Sequence, residues 1–295
     1  MSVTVYSSTD AGAPVLSGSV GSFIALLDAV LVTGYGTKAA VGWTKPFTGV
    51  NLAAYKMPAG TTGHYLRVND TVTTRAGVVG FETMTDVNTG TGQFPTEAQN
   101  AGGLFIQKSA SASALNRPWF IVTNGSMLHI YPDYSSDTLA LFYSFGSFPS
   151  YKSADAANTF IMADSSPLSG NTASIVISII QVILGHYIAR SYTQLPGAVA
   201  AGKLTDSPKC NNASTMGATG VPFPSPIDNG LYIAPIYINE SNVLRGVLPG
   251  MWNICHNRPG VQDDTFSGTG ALAGKTFMIK KIYNGSIAFE ISNTW

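Results

Sequence analysis

Charge is what this chain has least of. Only 11% of its 295 residues are Asp, Glu, Lys or Arg, against roughly 25% in an average soluble domain. The 16 acidic and 16 basic residues cancel, and no block of five like charges occurs. Gripping nucleic acid through counterion release requires a basic face, so no nucleic-acid partner is expected. Cysteine is nearly absent. Cys210 and Cys255 form no CxxC pair and have no metal-ligand spacing. Pairing in an oxidising milieu and burial as two thiols both stay open. No apolar run reaches the ~20 residues of a membrane helix. The longest, from Ile175 to Ile188, is broken by Ser178, Gln181, Gly185 and His186. It reads as core: β-branched content favours strand, while its length permits helix. The opening MSVTVYSSTD has no basic segment and no apolar stretch of a signal peptide. No membrane insertion is expected.

Catalytic patterns are also missing. There is no GxSxG elbow, no phosphate-binding GxxxxGK[ST] loop and no HExxH pair. Gly34-Tyr35-Gly36 and Gly90-Thr91-Gly92 sit in turn-like settings. His64, His129, His186 and His256 lie far apart in the chain, so spacing gives no metal site. Cys255 and His256 are adjacent, and neighbours on a strand point to opposite faces, which suits thiol–imidazole chemistry poorly. Asp86 to Gly90 resembles half of a calcium loop but lacks the bidentate Glu, and an Asx-turn explains it better. Asp263-Asp264, near His256 and Arg258, reads as an ion pair with Arg258 or as solvated carboxylates before a cation site. No catalytic residue, metal or cofactor is expected.

What is present is apolar and punctuated. Hydrophobic residues make up 45% and mean hydropathy is +0.17. Short apolar runs separated by Gly, Pro, Asn and Asp predict a mainly β fold, with sandwich or barrel-like antiparallel sheets and one short N-terminal helix. Phe23, Ile24, Leu26, Leu27, Val30 and Leu31 recur at helical spacing, with Ser22 as N-cap and Gly34 as stop. That predicts a helix over 22–33. Ser165 to Thr172 is the best boundary between two β-rich domains, 1–165 and 173–295. A long Pro/Gly/Asn-rich loop over 195–230 reads as functional or partner-covered. Pro235 demotes the strand at Leu231 to Ile238 toward a sheet edge. The segment 276–292 predicts a hairpin turning at Asn284-Gly285, with one face buried.

Interfaces that stay buried are poor in charge, so the charge deficit asks for protein partners and homo-oligomers. Tyr131, Tyr134, Phe142, Tyr143, Phe145, Phe148 and Tyr151 cluster within a short span. Core packing explains them first. An exposed patch for protein or sugar contact is the alternative. The candidate partner contacts are Tyr131, Tyr134, Tyr143, Phe148 and Tyr151, with Pro222 and Pro224 from the extended VPFPSP segment.

The opening segment TVYSSTDAGAPVLSGSVGSFIALLDAVLVTGYGTKAAVGWTKPF resembles the start of a group of tailed-bacteriophage virion proteins. It shares a short strand, a Gly-Ala-Pro-x-Leu-Ser-Gly turn, an apolar helix and a Gly-x-Gly exit. The ending GVLPGMWNICHNRPG…DTFSGTGALAGKTFMI…FEISNTW has a similar character. The resemblance covers roughly the first 50 and last 65 residues. It implies a non-enzymatic structural subunit of the tail, collar, baseplate or head, made in the host bacterial cytoplasm and carried in the virion beside other virion proteins. It carries over no catalytic residue. Two other readings remain beside it: a module binding a host-surface receptor or glycan, and a polysaccharide-degrading enzyme.

Overall fold

The computed structural model describes residues 2–133, 142–164, 175–177, 180–182, 184–195, 202–206, 223–240, 243–256, 261–282, 285–292 and 294–295. The strands, in chain order, begin with β1 (Thr4–Ser7), β2 (Thr44–Gly49), β3 (Leu52–Lys56), β4 (Tyr65–Asn69), β5 (Arg75–Phe81), β6 (Thr83–Met84) and β7 (Gly90–Thr91). They continue with β8 (Leu104–Gln107), β9 (Trp119–Thr123), β10 (Met127–Pro132), β11 (Tyr143–Ser147), β12 (Thr159–Asp164), β13 (Ile175–Ile177), β14 (Ile180–Val182) and β15 (Leu184–Ile188). The last are β16 (Gly202–Asp206), β17 (Ile233–Glu240), β18 (Val243–Ile254), β19 (Thr265–Ser267), β20 (Thr276–Ile282) and β21 (Gly285–Glu290). Helix α1 (Ser22–Leu27) runs on as a π-type turn over Asp28–Thr33, which together fill the expected helical span.

Every described strand pair is antiparallel. The first sheet has the order β1-β9-β10-β11-β12-β8-β5-β4-β3-β2, with β15 added beside β12. The second has the order β16-β17-β18-β21-β20-β19. Both orders are open-ended, so the architecture is layered and no barrel closes among the described residues.

Register decides what each face meets, because paired residues share a face and neighbours along a strand do not. In the first sheet Tyr6 pairs with Ile121, Ile121 with Ile130, Ile130 with Tyr143 and Phe145 with Ile161. This face receives the apolar side of the helix, through Phe23, Leu26, Leu27, Val30 and Leu31. The helix is tied to both ends of the sheet. Tyr55 of β3 donates to the Ile24 carbonyl and to Asp28, while Trp43, just beyond the helix, donates to the Gly125 carbonyl at 2.9 Å. The opposite face carries Phe120, His129, Tyr131, Phe160 and Met162. There it meets the second sheet through Ile238, Leu248, Met251, Ile287 and Phe289, all in one continuous core.

The structure departs from the sequence reading, or decides between its alternatives, at five places. First, the helix is not capped by Ser22, whose hydroxyl donates to the Ser17 carbonyl instead. The capping position is Gly21 at φ 79°, a left-handed conformation that glycine adopts without strain. The free N–H groups of Phe23 and Ile24 donate to Asp70, at 2.8 and 3.2 Å. Asp70 is itself ion-paired with Lys108, and both side chains are fully buried.

Second, the described parts of the run 175–188 are strands, the alternative its β-branching favoured, and β15 pairs along β12. The expected boundary at 165–172 lies outside the described residues. Third, β17 lies inside its sheet, between β16 and β18. Among the described residues the β16 ladder reaches Ile236, and Pro235 pairs with Trp252 of β18.

Fourth, Ile282 pairs with Gly285. Gly285 is therefore strand, and the two residues between them, 283 and 284, lie outside the described set. Fifth, the hairpin buries both faces. Phe277 pairs with Glu290 and Ile279 with Ala288, whereas Met278 pairs with Phe289 and Lys280 with Ile287. Phe277 and Ile279 therefore point away from Ile287 and Phe289. They form an outer cluster with Ile254 and Ala288, against which Trp252, Phe266 and Leu272 pack.

Candidate functional site

Most of the expected contact aromatics are core. Tyr131, Phe142, Tyr143, Phe145 and Phe148 are buried, which removes Tyr131, Tyr143 and Phe148 as surface contacts. Their hydroxyls explain why tyrosine serves there: Tyr143 accepts from the Gln107 N–H at 2.9 Å, and Tyr131 donates to the Lys281 carbonyl at 2.5 Å. Tyr134 and Pro222 lie outside the described residues. Pro224 is exposed. Tyr151 is 58% exposed, and it belongs to a surface that the sequence reading did not assemble.

That surface is built on a buried ionic cluster. Arg245 is fully buried and donates to Asp155 at 2.7 Å, to Glu240, and to the Arg190 carbonyl at 3.1 Å. Asp155 also accepts from the Ser150 hydroxyl at 2.7 Å. Burial alone pushes the Asp155 carboxyl up, but the hydrogen bonds from Ser150 and Arg245 outweigh it and hold the group below its ordinary range. Glu240 accepts from the Tyr192 N–H at 2.8 Å, and the Arg245 carbonyl accepts from the Tyr151 N–H at 2.7 Å. The backbones carrying Tyr151 and Tyr192 are thus fixed to one rigid node. The same segments carry exposed apolar side chains: Tyr151, Tyr192 at 48% and Leu195 at 60% exposure, and Leu244 at 46% on the opposite face of β18 from Arg245.

Ion pairing depletes the surface further. Among the described residues eight ion pairs draw on a chain with only 16 bases and 16 acids. Asp263 pairs with Lys280; the expected partner Arg258 lies outside the described residues. Lys280 is buried over the rings of Phe120 and Tyr131, at 4.3 and 5.3 Å from their centroids. Burial lowers its pKa. The Asp86 segment is the Asx-turn expected, with Asp86 accepting from the Asn88 N–H at 2.7 Å.

A second concave surface opens on the outer face of the second sheet. It is a cleft of about 490 Å³ between residues 223–233 and 264–272. Phe223, Leu231, Phe266 and Ile279 supply apolar lining, and Asp228, Asp264, Thr265, Ser267 and Thr269 supply polar groups. Asp228 accepts from the Gly230 N–H at 3.0 Å and the Tyr232 hydroxyl at 2.9 Å. Hydrogen bonds from the Gly230 N–H, Ser225 and Tyr232 hold its carboxyl below its ordinary range. His256 is used structurally: its Nε2 accepts from the Tyr232 N–H at 2.7 Å, and Cys255 beside it is buried. Cys210 lies outside the described residues.

Among the described residues no three His, Cys, Asp or Glu side chains gather as metal ligands, and no helix is long and apolar enough to cross a membrane. No protein-family model matches the chain, and no curated protein is detectably similar to it.

Proposed function

We propose that this protein is a non-enzymatic structural subunit of a tailed-phage virion, packing against copies of itself and other virion proteins through low-charge surfaces. One observation carries the assembly reading: exposed Tyr151, Tyr192, Leu195 and Leu244 lie on segments tied to or flanking the buried Arg245 node. A lone soluble protein gains nothing from spending two carboxylates and a guanidinium to fix exposed apolar side chains. Such an ionic cluster is a weak source of stability. It is well suited to holding a contact surface rigid, which reduces the ordering cost of association. The virion assignment rests on the resemblance of the two terminal segments, and the scarcity of free surface charge is consistent with burial in an array.

The test has two arms. Light scattering of the purified chain over a wide concentration range is expected to show a homo-oligomer. Tyr151→Asp together with Leu244→Asp is expected to return it to monomer with its melting temperature nearly unchanged. Mass spectrometry of intact particles is expected to find the chain as a stoichiometric component. A chain that stays monomeric at all concentrations and is absent from particles overturns the proposal.

A further inference from the structure

The outer cleft has features that assembly does not require. Its aromatic walls are fixed in advance. On one side Phe223 meets the His256 ring edge-on at 5.6 Å, and Tyr232 stacks on the same ring at 5.3 Å. On the other, Phe266 lies parallel to Phe277 at 5.2 Å, and Trp252 abuts Phe277 at 5.8 Å. Rings locked by ring contacts offer flat apolar surface at little entropic cost.

The rim has the complementary property. The side chains of Asn229, Asp264, Thr265, Ser267 and Thr269 are exposed around the cleft and none makes a hydrogen bond among the described residues. Elsewhere in the chain hydroxyls and carboxylates at turns are regularly consumed, as at Asp86, Ser150 and Ser225. Here one carboxylate, three hydroxyls and one amide are left with open capacity beside an aromatic surface. The volume lies within the ~300–1,000 Å³ of small-ligand pockets.

We infer that this cleft binds a short neutral saccharide, with Phe266 and Phe223 against the apolar ring faces and the rim groups bonding to sugar hydroxyls. Charge selects the class. Asp228 and Asp264 line the cleft and, among the described residues, no Lys or Arg does, so acidic glycans and phosphates are disfavoured. A peptide added as a further strand has little to pair with, because edge strand β19 is three residues long. Hydroxyl-rich ligands with one apolar face match both walls and rim. The inference is independent of the assembly reading, since it uses none of the residues around Arg245.

The experiment is saturation-transfer NMR on the full chain with cellohexaose, maltohexaose, N-acetylchitohexaose and mannohexaose as neutral probes and hexagalacturonate as the acidic one. At least one neutral probe is expected to bind, and hexagalacturonate is not. Asp264→Ala and Thr269→Ala are each expected to weaken binding about tenfold, the scale of one hydrogen bond to an otherwise unpaired group, with unchanged melting temperature. Phe266→Leu, which keeps the packing on Phe277, is expected to weaken it as much. Val50→Ala, exposed and outside both the cleft and the Arg245 surface, serves as the control and retains full binding. Absence of binding by every neutral probe at millimolar concentration overturns the inference. So does tighter binding of hexagalacturonate, or affinity indifferent to all three cleft variants.

Discussion

Successive residues along β20 and β21 alternate between two contrasting surroundings. Toward the first sheet, Phe289 meets the rings of Phe120 and His129 at 5.8 and 5.7 Å. His129 is locked there, its Nδ1 2.7 Å from Ser144 Oγ and its Nε2 2.7 Å from the Pro249 carbonyl. A carbonyl only accepts, so Nε2 carries the proton and Nδ1 accepts from Ser144. Trp295 closes over the same ring at 5.4 Å. Away from the first sheet, Phe277 and Ile279 meet Trp252 and Ile254 of their own sheet, a short strand, a turn and a loop, and the gap between the loops is the cleft. Sheet packing buries one face and holds His129 and Lys280 in internal contacts. Loops cover the other face in part and leave polar groups unspent. The same hairpin thus supplies a stabilising seam on one side and a concave surface on the other.

The sharpest way to break this contrast is truncation on each side. Phe289→Ala is expected to cost ~3–5 kcal/mol, the range for a fully buried Phe that leaves a cavity. Phe266→Ala, half-buried on the outer face, is expected to cost only ~1–2 kcal/mol because solvent fills its place. Equal losses in urea unfolding would erase the distinction between seam and cleft.

Acid probes the seam in part. Burial lowers the pKa of His129 to about 4, and it does the same for His64. The unfolded chain then binds more protons than the native one between pH ~6.5 and ~4. Stability is full above pH ~6.5 and falls as pH drops toward ~4. Each histidine accounts for roughly 3 kcal/mol at about 1.4 kcal/mol per unit. His129→Gln is expected to remove about half of that slope in pH-dependent unfolding, leaving the share of His64. An unchanged slope would mean that the seam does not exclude the proton. The smallest effect belongs to the rim: Thr269→Ala is expected to shift stability by less than ~0.5 kcal/mol, and a larger loss would show the cleft edge to be structural.

Legibility in the sequence followed locality. The helix over 22–33 and the terminal hairpin were readable because their signals are periodic and contiguous. The cap was not: Ser22 had the right chemistry, but Asp70 is placed at the helix start only by the β4–β5 turn. The two buried faces of the hairpin were in fact readable. Strands that pair odd residues with even ones must send Phe277 and Ile279 opposite to Ile287 and Phe289, whichever two residues make the turn. The aromatic cluster was ambiguous because core and patch use the same residue types, and of its described members only Tyr151 proved exposed. The cleft left no motif, since its walls come from two loops about 40 residues apart in the chain. Their only trace was a pair of segments rich in Asp, Asn, Ser, Thr and Gly beside aromatic strands.

The Asp70–Lys108 anchor bears on the order in which the molecule assembles. The helix is the most local element of the fold, yet its first turn is satisfied by a carboxylate 47 residues away, itself held by a lysine 38 residues further on. Until β4, β5 and β8 have come together, those N–H groups have only water to bond, and a short isolated helix is marginal in water. Closing these loops must precede the gain from the contacts they allow. The helix is therefore expected to consolidate late, on a sheet already formed, and Leu26→Ala should speed unfolding far more than it slows folding.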